Sequence, residues 1–422
     1  MRLKIVFVLI SILLATAGSF GRATADEKAR TAPPTARKKV AAVVTLYRHN
    51  THADVIVSRI LEGYDINGRP PKPSVDLASI YIDQLPGNDI GRPLAEKHSV
   101  PVYDTVEGAL TLGTGELAVD GVLLVCEHGS YPRSATDQVE YPKRRLFQDV
   151  LRVFESSKRV VPVFSDKHLS DNWTDAEWMY EATQRKEIPF MAGSSLPSYR
   201  RLPAADVERD AKLREIVSVG FGGIESYGFH ALEAMQCLVE RRAGGETGVK
   251  SVRCLMGDEV WEAGENGVYD RELLAAALAH ASTPIKLDDS LRKSVAEPAA
   301  FIIEFRDGTR GSVILLGGAV VEFLVSWRYQ EKERIAATQF AVQNERPYSH
   351  FAYLLKGIET MVNSGKPTWP AERTLLTTGV LHAAMQSRLD AGARVDTPHL
   401  DIRYRSQWDW TQPPAPRPSK AR

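Results

Sequence analysis

Two short stretches carry side chains suited to moving protons. In the first, Asp166-Lys167-His168 follows Val160 to Phe164, an apolar run rich in β-branched residues that suits a buried parallel strand. This puts an acid, an amine and an imidazole at the carboxyl edge of a sheet, where open α/β folds place ligands. In the second, His230 and Glu233 stand three residues apart in GFGGIESYGFHALEAMQCL, residues 220–238, and so share one helical face. A carboxylate beside an imidazole fixes its tautomer and raises its basicity, as proton transfer requires. Each stretch also has a plainer reading. Lys167 would be a surface lysine paired with Asp166, and His230 a helix N-terminal histidine satisfied by its own turn.

The elements that must position these groups are legible on both sides. Thr174 and Glu177 form a capping box with Trp173 and Trp178 as its staple, so a helix starts at Thr174 and runs to about Arg185. Ile188 to Ala192 is the next strand, opening into Gly193-Ser194-Ser195. Upstream, Val40 to Val44 is a strand, Val55 to Leu61 the apolar stripe of a helix, and Leu77 to Ile82 a second strand ending at Asp83. A further capping box, Asp104 with Glu107, precedes Asp120 to Glu127, an apolar strand with His128 at its carboxyl end. Residues 129–145 form a long connection after it. Downstream, the charged stretch Arg200 to Arg214 reads as a crossing into a second unit. There Val249 to Leu255, Phe301 to Phe305 and Ser312 to Leu316 read as strands, the last two joined by an Asp307-Gly308 hairpin turn. Gly317 to Trp327 is a further apolar run, and Ser349 to Ser364 and Thr374 to Leu389 are amphipathic helices.

This order of elements, over about residues 38 to 405, resembles the Gfo/Idh/MocA family of sugar and polyol oxidoreductases. The family's Glu-Lys-Pro strand end stands here as Asp166-Lys167-His168, and its Gly-Gly turn with Asp-x-Gly-x-His is matched at Gly228 and His230. The resemblance implies an α/β plus α+β architecture, with a Rossmann-like parallel sheet over 40–197 and a largely antiparallel open sheet over 198–405. It implies that Lys167, His230 and Glu233 act on a sugar or sugar-derived alcohol. NAD or NADP would lie near Arg48, Asn50, Asp83, His128 and Asp166, and subunits would meet through the second sheet.

The chain departs from the family where a dinucleotide needs bare backbone. Thr45, Tyr47 and Asn50 take the places of the three glycines after the first strand, and side chains at the first two would crowd a pyrophosphate. Arg48 offers a cation to an anion there, and His49 and His52 make the loop polar enough to contact a sugar. Weak dinucleotide binding is the expectation. The alternative function is therefore a cofactor-free lyase, isomerase or hydrolase of sugars, or a sugar-binding protein, on the same scaffold.

Composition narrows the classes. The 422-residue chain has 53 basic and 53 acidic residues and a formal net charge of zero, which weighs against nucleic-acid binding. Its three cysteines, Cys126, Cys237 and Cys254, lie far apart in apolar contexts, and read as buried thiols with neither a disulfide framework nor a metal cluster. Met1 to Ala25 has a basic start, a short apolar core and Ala23-Thr24-Ala25, the pattern of an export signal cleaved after Ala25. A periplasmic or secreted protein without a membrane anchor follows. Residues 26–39 read as a disordered lead-in, and the proline-rich residues 406–422 as a flexible tail.

Overall fold

The computed structural model describes residues 36–66, 72–331, 334–343, 346 and 348–415. The expected export signal, most of the expected lead-in and residues 416–422 of the expected tail lie outside them. The first half contains β1 (Lys38–Leu46), α1 (His52–Glu62), β2 (Val75–Gln84), α2 (Gly91–Lys97), β3 (Val102–Tyr103) and α3 (Val106–Thr111). β4 (Gly121–Val125), α4 (Lys143–Ser156), β5 (Val163–Asp166), α5 (Trp173–Arg185) and β6 (Phe190–Gly193) follow. All six strands pair in parallel in the order β3-β2-β1-β4-β5-β6. β1 is central, and its pleat explains the unbroken apolar run: Val40, Ala42 and Val44 face one core, Ala41 and Val43 the other.

The second half begins with β7 (Arg201–Leu202), β8 (Leu213–Gly220), α6 (Ser226–Val239) and β9 (Val249–Met256). It continues through α7 (Asp258–Glu265), α8 (Arg271–Leu278), α9 (Asp289–Ser294), β10 (Ala299–Phe305), β11 (Arg310–Leu315), β12 (Phe323–Tyr329) and β13 (Ile335–Phe340). α10 (His350–Ser364), α11 (Glu372–Leu389) and β14 (Val395–Asp396) complete it. Eight strands form one sheet in the order β14-β9-β10-β11-β8-β12-β13-β7, antiparallel except where β8 meets β11. The Asp307-Gly308 turn joins β10 to β11 as expected, with Asp307 Oδ1 accepting the Thr309 N–H.

Several details correct the sequence reading. β1 starts at Lys38, two residues inside the expected lead-in, because Lys38 pairs with Val75 and the Lys39 N–H donates to Asp120 at 2.9 Å. The capping residues shift. Asn172, not Thr174, caps α5 by accepting the Asp175 N–H, and Thr105, not Asp104, caps α3. The second sheet is open, with β14 and β7 at its edges, but helices cover both its faces. α6 and α11 cover one face, while α7, α8 and α9 bury Val217, Val219, Ile314 and Leu324 on the other. α10 returns to pack Phe351, Leu355 and Ile358 into the first sheet's core, so that core draws on residues beyond 197.

The described part of the tail is docked rather than loose. Gln412 exchanges hydrogen bonds with the Arg201 backbone (3.0 and 2.8 Å), and the Trp410 ring lies 4.2 Å from the Arg201 guanidinium. A side-chain amide thus satisfies the backbone of β7, which is the edge strand. Among the described residues no helix is long and apolar enough to cross a membrane. The three cysteines are free and buried, as expected.

Candidate functional site

The carboxyl edge of the first sheet faces the start of α6 across a cleft of about 770 Å³. Lys167, one residue beyond β5, and His230, in the first turns of α6, both line it. His128, after β4, and Asn50, in the β1–α1 turn, line it as well. The fold therefore gathers these four sequence candidates around one cavity. Arg48, Asp83, Asp166 and Glu233 do not line it.

Lys167 sits in a buried charged cluster. Its Nζ lies 3.1 Å from one oxygen of Glu127, while the Nζ of Lys143 lies 3.0 Å from the other. Lys143 also donates to the backbone carbonyls of Lys167, at 2.6 Å, and His168, and so braces the turn that presents Lys167. The peptide between Lys167 and His168 is cis. Burial would raise the Glu127 carboxyl, but the two ammonium groups outweigh it and hold the acid well below its usual range. Burial and the Lys167 charge push the neighbouring His168 down to about 3. His168 is enclosed against Phe229 and is a structural neutral imidazole.

Asp166 acts one layer back. Its carboxylate is buried and meets His52 Nδ1 at 2.5 Å. His52 opens α1 and presents its ring to the cleft, 5.1 Å from the ring of His128 and 6.5 Å from that of His230. With Nδ1 held by a carboxylate, Nε2 is the nitrogen left to act as a base. An acid that orients an imidazole is therefore present, but it is Asp166 with His52.

Glu233 plays no such part for His230. Its oxygens accept from the hydroxyls of Thr374 and Thr377, at 3.1 and 2.8 Å, and from the Ser194 N–H at 3.3 Å. Burial raises its carboxyl despite Arg373 nearby. Gly193, at φ +116°, lies against this acid, and a Cβ there would collide with Thr374 and Glu233. His230 instead shares a 2.7 Å hydrogen bond through Nδ1 with the Ser194 hydroxyl, and burial first, then Lys167, pushes its pKa well down. Three residues along a helix put Glu233 on the same side as His230, yet α11 supplies hydroxyls that claim the carboxylate first.

Tyr47 likewise differs from expectation. Its ring turns into the core and its hydroxyl meets Ser58 at 2.9 Å, while Thr45 is buried and donates to the Glu127 carbonyl. Neither blocks the cleft. Asn50 does adopt the left-handed backbone, at φ 64°. Arg48 is exposed and does not reach the cavity. Asp83 is already engaged: Arg145 at 2.6 Å and the hydroxyls of Tyr81 and Tyr131, each at 2.8 Å, donate to it. Burial raises its carboxyl, but these donors bring the net shift below the usual range.

Sequence reasoning missed His52 as Asp166's partner, along with Glu127, Lys143 and Ser194. Glu127 had a signal, since an acid that ends an apolar strand stands at the ligand edge. Lys143 had none, because only the fold of the long 129–142 connection brings it there. Two buried ring nitrogens, His128 Nε2 and His350 Nδ1, have no protein partner, and both residues line the cleft. Burial depresses His128 to about 4 and His350 to about 3, so both are neutral rings near pH 7. Phe221, Tyr227 and Phe323 add an aromatic wall, with Tyr227 and Phe323 stacked at 6.3 Å. Among the described residues no cluster of His, Cys, Asp and Glu is arranged to hold a metal ion.

No protein-family model and no curated protein matches the sequence. Solved structures do match its fold, that of Gfo/Idh/MocA-type dehydrogenases. The chain is similar to GenD2 from gentamicin A biosynthesis, in complex with NAD, at 14% identity and TM-score 0.55, with 85% of this chain and 96% of that one covered. It is similar to scyllo-inositol dehydrogenase from Lactobacillus casei with bound NAD(H) and scyllo-inositol, at 11% identity, TM-score 0.53 and coverage of 85% and 99%. It is also similar to myo-inositol 2-dehydrogenase from Lactobacillus plantarum, at 11% identity, TM-score 0.52 and coverage of 85% and 99%. The expected fold, a Rossmann-like parallel sheet joined to a mostly antiparallel one, is thus the fold observed. In the turn after β1 the N–H groups of Arg48 and Asn50 are bonded within the protein, and at the end of β2 Asp83 is bonded by Arg145.

Proposed function

We propose that this protein acts on a sugar-like hydroxy-carbonyl compound in the cleft by proton transfer, with His52 as the base and Lys167 as the stabilising cation. The carrying observation is the convergence on one cavity of the Asp166–His52 pair and the Glu127-held Lys167 ammonium. His52 Nε2 would take a proton from a carbon beside a carbonyl of the substrate. Lys167 would donate a hydrogen bond to the oxygen on which the negative charge collects. Return of that proton from His52 to the former carbonyl carbon, while the hydroxyl proton of the carbon first deprotonated passes to the former carbonyl oxygen, completes an isomerisation that needs no oxidant. The unpartnered nitrogens of His128 and His350 suit substrate hydroxyls, and the Phe221–Tyr227–Phe323 wall suits the apolar face of a sugar ring.

A second reading, an oxidoreductase acting on the same class of substrate, is favoured by the fold it shares with sugar and inositol dehydrogenases. One experiment separates the two. The protein is incubated in heavy water with a panel of aldoses, ketoses and keto-polyols, without added nicotinamide, and carbon-bound deuterium is followed by NMR. Deuterium incorporation that falls at least 100-fold in both His52→Gln and Lys167→Met is the expected result. No exchange with any substrate, together with polyol-dependent reduction of added NAD or NADP, would favour the oxidoreductase.

A further inference from the structure

We propose that residues 129–141 form a built-in strap across the dinucleotide tract of this fold, so that the protein works without a nicotinamide cofactor. The inference does not depend on which substrate the cleft takes. In an open parallel sheet, a dinucleotide crosses the carboxyl end of the first strand. Its pyrophosphate rests on bare N–H groups of the next turn, and its ribose meets an acid at the end of the second strand. Here the chain itself fills each of those places.

At the turn, three N–H groups are spent internally. That of Arg48 donates to Thr51 Oγ1 at 3.3 Å, that of Thr51 to the Arg48 carbonyl at 3.2 Å, and that of Asn50 to Asp54 Oδ2 at 2.8 Å. Asp54, in the first turn of α1, is buried and also bonds Arg346 and Ser58. A fixed carboxylate, paired with Arg346, thus stands at the helix N-terminus and takes the place of an incoming anion there.

At the end of β2, Asp83 is held by Arg145 and Tyr81 on one oxygen and by the strap's Tyr131 on the other, so a ribose there would compete with the chain's own donors. Between these places runs the strap. β1 lies between β2 and β4, so the chain leaving β4 must cross the end of β1 to reach β2, and it does. The side-chain amide of Gln84, at the end of β2, exchanges two 2.9 Å hydrogen bonds with the Ser130 backbone. Gly129, at φ +131°, allows this path, because a Cβ would collide with the Tyr131 ring. The strap's far end, through Tyr141, joins the cleft wall.

The test is calorimetric titration of the full mature chain with NAD and with NADP, repeated on an Asp54→Asn/Tyr131→Ala variant, with a thermal melt to establish folding. The expected result is no saturable heat in the wild type up to about 1 mM ligand, and saturable binding in that range once the variant opens the tract. Saturable binding by the wild type overturns the proposal, as does a folded variant as inert as the wild type. If the variant does not fold, the wild-type titration alone decides. Deuterium exchange into a hydroxy-carbonyl substrate is read separately, so the cleft chemistry and the strap stand or fall independently.

Discussion

Replacing Glu127 with glutamine tests the electrostatic core of the site. The local formal charges cancel as they stand: Glu127 and Asp166 carry two negative charges, Lys143 and Lys167 two positive. Side-chain exposure is 5% for Glu127, 1% for Lys143 and 3% for Lys167, so solvent cannot replace the missing carboxylate. Removing one partner of a buried ion pair costs about 3–5 kcal/mol, because the charge left behind is uncompensated. For a chain of this length that corresponds to a fall in Tm on the order of 4–6 °C. The double variant Glu127→Gln/Lys143→Met restores charge balance, although it strips a donor from the Lys167 and His168 carbonyls. Its cost should therefore fall short of the sum of the single costs by about 1–3 kcal/mol. Urea unfolding of the four proteins at neutral pH measures this. A Glu127→Gln cost below about 1 kcal/mol, or strict additivity in the cycle, would refute the reasoning.

Two further predictions follow from the imidazoles and the N-terminus. His128, His168 and His350 are depressed from the usual 6.5 to about 4, 3 and 3, and His230 also lies well below it, burial being the main cause in each. The unfolded chain then binds more protons than the folded one below about pH 6.5. Stability should be full above that pH and fall as it drops towards 4, by about 2 kcal/mol per such group at pH 5; a Tm unchanged between pH 7.5 and 5 would contradict this. We also propose export with cleavage after Ala25, so mass spectrometry of protein from the periplasm or medium should find Asp26 at the N-terminus, and an intact Met1 on cytoplasmic protein would exclude it.

The sequence by itself determined the elements whose signal is local. A buried parallel strand has to be apolar on both faces, so β1, β4 and β5 announced themselves as unbroken runs, and the ligand edge followed from where those runs stop. Lys167, His128 and His230 were found because each directly follows or opens such an element. The partners were not legible, because a hydrogen bond is a three-dimensional match and spacing only proposes it. His230 and Glu233 share a helical side, yet the hydroxyls of Thr374 and Thr377, roughly 140 residues away, take the acid. Asp166 and Lys167 are adjacent, yet each pairs elsewhere: Asp166 with His52, 114 residues away, and Lys167 with Glu127, 40 residues away. Tyr47 was expected to obstruct the turn, but rotation about its side-chain bonds sent the ring into the core beside Gly91. The missing glycines pointed to a poor dinucleotide site through bulky side chains, whereas the tertiary structure turns those side chains away. Asp54 takes the Asn50 N–H, and the long connection after β4 folds across the end of β1 and bonds to β2.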